Sequence, residues 1–347
     1  MNPQKVVMSQ NLEEALTAAV ATCEKDRIFI LTDETTQQLC LPLVEGFACL
    51  KGAQCITIGA TDTHKTLDSL SHVWEALGEG GATRHSLLIN IGGGMVTDLG
   101  GFAASTFKRG INYINIPTTL LSMVDASVGG KTGINFRGLK NEIGVFNNAE
   151  TVILDTQFLK TLDTENILSG YAEMLKHGLI DSEAHWAELI NSDLSNLGSL
   201  SKLLEKSVAV KQRIVTEDPT EQGIRKALNL GHTAGHAFES FALSKQPILH
   251  GYAVAYGLVC ELYLSAIKTG FPTDKMHQTV NFIHEHYGRM NITCDDYPQL
   301  LELMTHDKKN VAGVINFTLL GGIGDIRINQ HATKDEIYEA LDFYREG

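Results

Sequence analysis

Residues 87–105 read LLINIGGGMVTDLGGFAAS. A short apolar run, Leu87 to Ile91, meets three glycines, Gly92, Gly93 and Gly94, and a helix-compatible stretch follows. A buried strand that turns through glycines into a helix is the repeating unit of a parallel sheet covered on both faces. Glycine also lets the backbone approach a pyrophosphate at the helix N-terminus, where N–H groups and the helix dipole favour an anion. The spacing departs from G-x-G-x-x-G, because Thr97 stands at the third glycine position. A plain tight turn therefore remains an alternative explanation of the glycines.

Outward from this unit the same texture continues. RIFILTD (27–33), QCITIGA (54–60), INYINIP (111–117) and TVILD (151–155) are short β-branched runs bounded by turn residues, which read as buried strands. Amphipathic stretches such as TTQQLCLPLVEGFACL (35–50) and HKTLDSLSHVWEALG (64–78) separate them. From about Thr164 the period becomes helical, in ENILSGYAEMLKHGLI (165–180), KLLEKSVAVKQRIVTE (202–217), GHAFESFALS (235–244) and GYAVAYGLVCELYLSAIKTG (251–270). In this half only VINFTLL (314–320) has the look of a strand. The expectation is an α/β nucleotide-binding domain over residues 1–163 and a mostly α-helical domain over residues 164–347. The cleft between them is the expected ligand site.

Composition removes several classes of function. Of 347 residues, 43% are hydrophobic and 20% charged, with a net charge of -13. That balance argues against a nucleic-acid binder, which needs phosphate-neutralising surface. No run approaches the roughly 18 uncharged apolar residues of a membrane span. The start, MNPQKVVMSQNLEEALTAAV, carries acids where a signal peptide has an apolar run. The six cysteines form no C-x-x-C, so reduced thiols in a cytoplasmic protein are expected. One stretch runs against the acidity. Residues 105–145 hold Lys108, Arg109, Lys131, Arg137 and Lys140 against Asp125 and Glu142, a patch suited to a small anion.

The chemistry-bearing residues fall in two groups. In IPTTLLSMVDASVGGKTGINFRGLKNEIG (116–144), Thr118–Thr119 and Gly129–Gly130–Lys131–Thr132 flank Asp125, and Lys140–Asn141 follow. Lysines beside glycines and threonines suit phosphate, although a pair of solvated loops would look similar. In LNLGHTAGHAFE (228–239), His232 and His236 lie four apart on one helix face. His250 opens another apolar helix, and Glu173 lies in the apolar SGYAEMLKHG (169–178) with Lys176 one turn on. A buried carboxylate needs a partner or a metal. Two histidines and Glu173 make a plausible three-ligand site with an open position. Spacing does not say which two histidines bind, and two surface histidines at a helix start are the bland alternative. KQRIVTEDPTEQGIRKALN (211–229) adds Lys211, Glu221, Arg225 and Asn229. Arg225, Asn229, His232 and His236 are expected to share one helical stripe.

Taken together, GGGMVTDLGGFAASTFKRG, IPTTLLSMVDASVGGKTGIN, LKNEIG, GYAEMLKHGLI, IRKALNLGHTAGHAFE, HGYAVAYG and THDKKN resemble the 3-dehydroquinate synthase family, from Gly92 to Asn310 and in the family order. The resemblance implies a dehydroquinate synthase-like fold, NAD, and one divalent metal, zinc or cobalt. It implies the shikimate-pathway reaction, in which 3-deoxy-D-arabino-heptulosonate 7-phosphate gives 3-dehydroquinate and phosphate, in a cytoplasmic homodimer. Metal ligands would be Glu173, His232 and His250. NAD contacts would come from Asp33, Asp62, Lys65, Gly93, Gly94, Asp98, Thr118 and Thr119. Lys131, Lys176, Glu221, Asn229 and His236 would be catalytic. Arg109, Asp125, Lys140, Asn141, Lys211, Arg225 and Lys308 would bind the sugar-acid phosphate, Arg109 from the neighbouring subunit. Asp62 stands where the family usually has Glu, a shorter reach. Neighbouring readings are another sugar-phosphate cyclase and a metal-dependent polyol dehydrogenase of related fold.

Overall fold

The computed structural model describes residues 4–23, 25–194, 196–243, 245–305 and 315–347. The chain forms two compact units, Met1–Asp163 and Thr164–Gly347.

In the first unit the elements are β1 (Lys5–Met8), α1 (Leu12–Thr22), β2 (Ile28–Asp33), α2 (Glu34–Leu39), β3 (Gln54–Ile58), α3 (Leu67–Glu79), β4 (Leu87–Gly92), α4 (Gly94–Thr106), β5 (Asn112–Pro117), β6 (Lys131–Phe136), β7 (Leu139–Phe146) and β8 (Thr151–Leu154). Six strands make a parallel sheet in the order β1-β8-β5-β4-β2-β3. All of β4 and β8 is buried, as near-continuous apolar runs in a helix-covered parallel sheet must be. Three strands lie outside the sequence expectation. β1, KVVM, is a short edge strand whose Lys5 pairs with Thr151. β6 and β7 form a separate antiparallel hairpin. KTGINF and LKNEIGVF interrupt their apolar positions with glycine, asparagine and charge, so neither period stands out.

The second unit holds α5 (Thr164–Asp181), α6 (Glu183–Ile190), α7 (Leu197–Glu217), α8 (His232–Leu243), α9 (His250–Thr269), α10 (Thr273–Tyr287), α11 (Tyr297–Thr305), β9 (Asn316–Gly322), β10 (Asp325–His331) and α12 (Lys334–Glu346). α9 is central: it packs against α5, α8, α10, α12 and β9. The strand expected from VINFTLL is β9, and it pairs antiparallel with β10, which was not expected. β10 reads DIRINQH and is half exposed, which leaves too little apolar alternation to mark it as a strand. A second correction concerns the stripe of Arg225, Asn229, His232 and His236. Ile224–Asn229 is a separate 3-10 turn, and Leu230 then takes an extended conformation (ψ 130). Gly231 sits at φ 79, in the left-handed region that glycine enters at little cost. The chain thus breaks before His232, and the four residues do not lie on one helix.

Candidate active site

In the first unit, Gly93 is the N-cap of α4 and offers no side chain to cap it. The Thr118 N–H donates to the Gly92 carbonyl over 2.9 Å, which ties the turn after β4 to the turn after β5. A Cβ on Gly93 would lie 3.2 Å from Thr119 Cγ2, and one on Gly94 would lie 3.1 Å from Ala126 Cβ. Only glycine fits this approach comfortably, and it brings Gly93, Gly94, Thr118 and Thr119 together. A second cluster is polar. Buried Lys65 donates to Asp98 Oδ2 over 2.5 Å and also to Asn141 Oδ1. Asp62 Oδ2 accepts from Asn135 Nδ2 at 3.1 Å and lies 3.7 Å from Lys140 Nζ. Asn141, at φ 50, donates its own N–H to Asn135 Oδ1. Asp33 caps α2, with its Oδ1 accepting from Thr36 N over 2.7 Å, so part of its carboxylate is occupied locally. Asp125 lies in a single π-helical turn, Ser122–Ala126, a feature common at functional sites. Lys131 opens β6. Arg109, at φ 71, lines a recess of about 420 Å³ with Tyr113, Asn147 and Glu150.

In the second unit three helices each contribute one group to a cluster. Glu173 comes from α5, His232 opens α8 and His250 opens α9. Glu173 Oε1 is buried and without a hydrogen-bond partner. It lies 3.2 Å from His232 Nε2 and 3.5 Å from His250 Nε2. The opposite ring nitrogens are already engaged. His232 Nδ1 sits 3.1 Å from the Leu230 carbonyl and His250 Nδ1 sits 3.2 Å from Glu239 Oε2. Both partners can only accept, so each Nδ1 carries a hydrogen and each Nε2 faces Glu173, free to bind an ion once it bears no proton. Three inward donors, all within 4.8 Å of one another, are the pattern of a divalent cation site with a second shell.

The electrostatics agree with that pattern. Burial alone would raise the Glu173 carboxyl, but the Lys176 ammonium and His232 hold it well below the usual carboxylate range. Lys176 is itself buried and forms an ion pair with Glu173 Oε2. Burial pushes His232 down to about 4, so its imidazole is neutral at physiological pH. Burial would lower His250 too, yet Glu239 and Glu173 overcome it and raise the ring to about 10. A proton there occupies the place between imidazole and carboxylate that a cation would take.

The helices come this close because glycines line their contacts. A Cβ on Gly251 would fall 1.8 Å from the Ser169 carbonyl oxygen of α5, and one on Gly257 would fall 1.9 Å from the Gly231 carbonyl. The Gly251 N–H also donates to Ser169 Oγ over 3.1 Å. Gly251→Ala must push α9 away from α5, next to His250. Overpacking of this kind costs about 1–3 kcal/mol of folding stability, and Gly251→Ala is expected to lose about that much in a denaturant titration.

His236 completes a group of three imidazoles, its ring centroid 5.4 Å from that of His232 and 6.0 Å from that of His250. The turn Ile224–Asn229 packs against α5 and α7, the helices that carry Lys176 and Lys211. Arg225 is buried and donates from Nη1 to the Pro219 carbonyl over 2.6 Å. The Asp218 carboxylate folds that loop by accepting backbone N–H groups of Gln222, Gly223 and Arg225. The loop turns the chain back after α7, so Lys211 and Arg225 belong to adjacent elements. Asn229 Nδ2 donates to Glu221 Oε1 over 2.9 Å. Lys308 lies outside the described residues. Two carboxylates were missed by sequence reasoning: Glu239, on His250, and Glu261, which is fully buried and accepts from the N–H groups of Gly231 and Ala234. Both are acids inside apolar helices, the signal that singled out Glu173.

A nucleotide-type parallel sheet and a Glu–His–His cluster on packed helices define a metal-dependent enzyme on an α/β-plus-helical scaffold. Family models for 3-dehydroquinate synthase match the chain over residues 55–169 (N-terminal) and 170–310 (C-terminal). The chain belongs to the 3-dehydroquinate synthase family. It is 56% identical to the 3-dehydroquinate synthase of Parabacteroides distasonis over 350 residues, covering 100% of this chain and 99% of that protein. Identity to the Pyrococcus furiosus 3-dehydroquinate synthase is 41% over 304 residues, covering 88% and 89%. Among solved structures, 2-epi-5-epi-valiolone synthase from Streptomyces hygroscopicus subsp. jinggangensis, with NAD+ and Zn2+ bound, superposes with a TM-score of 0.88 at 25% identity, covering 99% and 97%.

Proposed function

We propose that this chain is a 3-dehydroquinate synthase, converting 3-deoxy-D-arabino-heptulosonate 7-phosphate to 3-dehydroquinate and phosphate with NAD and one divalent ion, zinc or cobalt. The observation that carries the reading is the Glu173–His232–His250 cluster, in a chain that matches its family along the whole length. Nitrogen and oxygen donors suit either ion. When bound, NAD supplies reversible hydride transfer and the divalent ion orients and acidifies substrate hydroxyls. Glu173, His232 and His250 hold the ion, and Lys176 keeps Glu173 ionised. Gly93, Gly94, Thr118 and Thr119 receive the cofactor at the β4–α4 turn, with Asp33, Asp62, Lys65 and Asp98 around it.

The remaining residues manage phosphate and carboxylate. Lys131, Asn141, Asn229 and His236 cradle the phosphate, with Asp125 and Lys140 on the sugar hydroxyls. Glu221 fixes the Asn229 amide through the bond already described. The proton released as phosphate departs goes to a ring nitrogen of His236 or to the phosphate itself. Arg225 and Lys211 meet the substrate carboxylate, with Lys308 on the same substrate. Arg109 serves the neighbouring subunit of a homodimer, and the enzyme works in the cytoplasm. Among the described residues no helix is long and apolar enough to cross a membrane.

Because the hydride is returned, NAD is not consumed. Incubation with the heptulosonate phosphate and trace NAD is expected to release many phosphates per NAD, without a lasting rise in NADH absorbance. NADH accumulating in step with product would overturn the cyclase reading in favour of a polyol dehydrogenase.

A further inference from the structure

Glu239 is the one carboxylate among the described residues seen to meet a ring nitrogen of the Glu173 cluster from outside it. It lies on α8, two turns after His232, and is buried. Its Oε2 sits 3.2 Å from His250 Nδ1, while His250 Nε2 faces Glu173. An imidazole has two ring nitrogens and free rotation about its side-chain bonds, so without a fixed acceptor either nitrogen could face the ion. His232 is held differently, by a main-chain carbonyl two residues away. His250 opens α9 with Leu249 extended before it and makes no corresponding main-chain contact among those seen.

We propose that Glu239 is a positioning residue for the metal centre: by accepting the Nδ1–H of His250, it fixes the tautomer and ring orientation that direct Nε2 at the ion. The inference rests on Glu173, His232 and His250 being the ligands. Glu239 joins α8, which already supplies His232, to the ligand of α9, so the two histidines are set relative to each other through one helix. Glu239, His236 and His250 could also be grouped as donors to a second ion. The Glu239 oxygen, however, lies at hydrogen-bond distance from a ring nitrogen that bears the hydrogen, which is the arrangement of an orienting partner.

The test is zinc binding by wild type, Glu239→Gln, Glu239→Ala and His250→Ala, measured against a chromophoric competing chelator, with the visible spectrum of the cobalt-substituted proteins. Wild type should bind one zinc per chain and His250→Ala should lose it. If His250→Ala binds zinc like wild type, the ligand assignment itself fails. Given that control, Glu239→Ala should bind zinc about 10- to 100-fold more weakly with an altered cobalt spectrum. Glu239→Gln, which retains an acceptor oxygen without the charge, should fall between Glu239→Ala and wild type. Wild-type zinc affinity and cobalt spectrum in folded Glu239→Gln and Glu239→Ala would overturn the proposal, even if both melt earlier. So would two zinc ions per wild-type chain, falling to one in Glu239→Gln.

Discussion

His250→Ala is expected to lose its bound metal and its turnover together, whereas His236→Ala keeps the metal and loses turnover alone. His232 and His250 bring Nε2 to 3.2 and 3.5 Å from Glu173 Oε1. Removing either leaves a buried carboxylate and one imidazole, too few donors for a catalytic site of three protein ligands. His236 is four residues after His232 on α8 and stacks edge-on with it, and it stands outside the group of Glu173, His232 and His250. Its loss should cost what a proton-transfer group contributes, about 100- to 10,000-fold in rate. Metal analysis of the purified variants, beside phosphate-release assays, checks both halves. Metal retained in His250→Ala and lost in His236→Ala would reverse the assignment.

Arg225→Ala should lower kcat/KM for the heptulosonate phosphate by about 30-fold or more, with the metal retained. A substrate carboxylate calls for a fixed cation, and a guanidinium can grip it with two parallel N–H bonds. Arg225 is only 2% exposed, and its loop is pinned by Asp218, so it is no freely solvated surface charge. Truncating one partner of a buried charged pair costs about 2–5 kcal/mol, and about 1.4 kcal/mol is tenfold in rate. A surface arginine would lose little. Wild-type rates on a seven-carbon sugar phosphate lacking the carboxylate would point to a different cyclase, as would an Arg225→Ala enzyme that turns over the acid normally.

The sequence was most legible where burial is one-sided and local. β4 announces itself because every residue from Leu87 to Gly92 is buried, and the following glycines mark the turn that close approach to Thr119 and Ala126 requires. Glu173 was legible because an acid in an apolar helix must have a partner. The same argument reaches Glu239 and Glu261, buried acids in the apolar helices α8 and α9. What local pattern could not reveal was long-range. The hairpin of β6 and β7 is held by pairing such as Ile134 with Ile143, not by a run of β-formers. The break before His232 depends on the extended Leu230 and the left-handed Gly231. That Gly251 meets Ser169 is a contact across 82 residues of chain, invisible to any short window.

The buried carboxylate of Glu261 has a wider consequence. From α9 it fastens the opening turn of α8, so the frame around the three donors is bolted together by main-chain bonds and helix contacts. A domain whose fold is created by its ion melts when a chelator takes that ion away. Here Glu261 gives the frame interactions of its own, so a chelator is expected to empty the three donors without unfolding the helices that carry them.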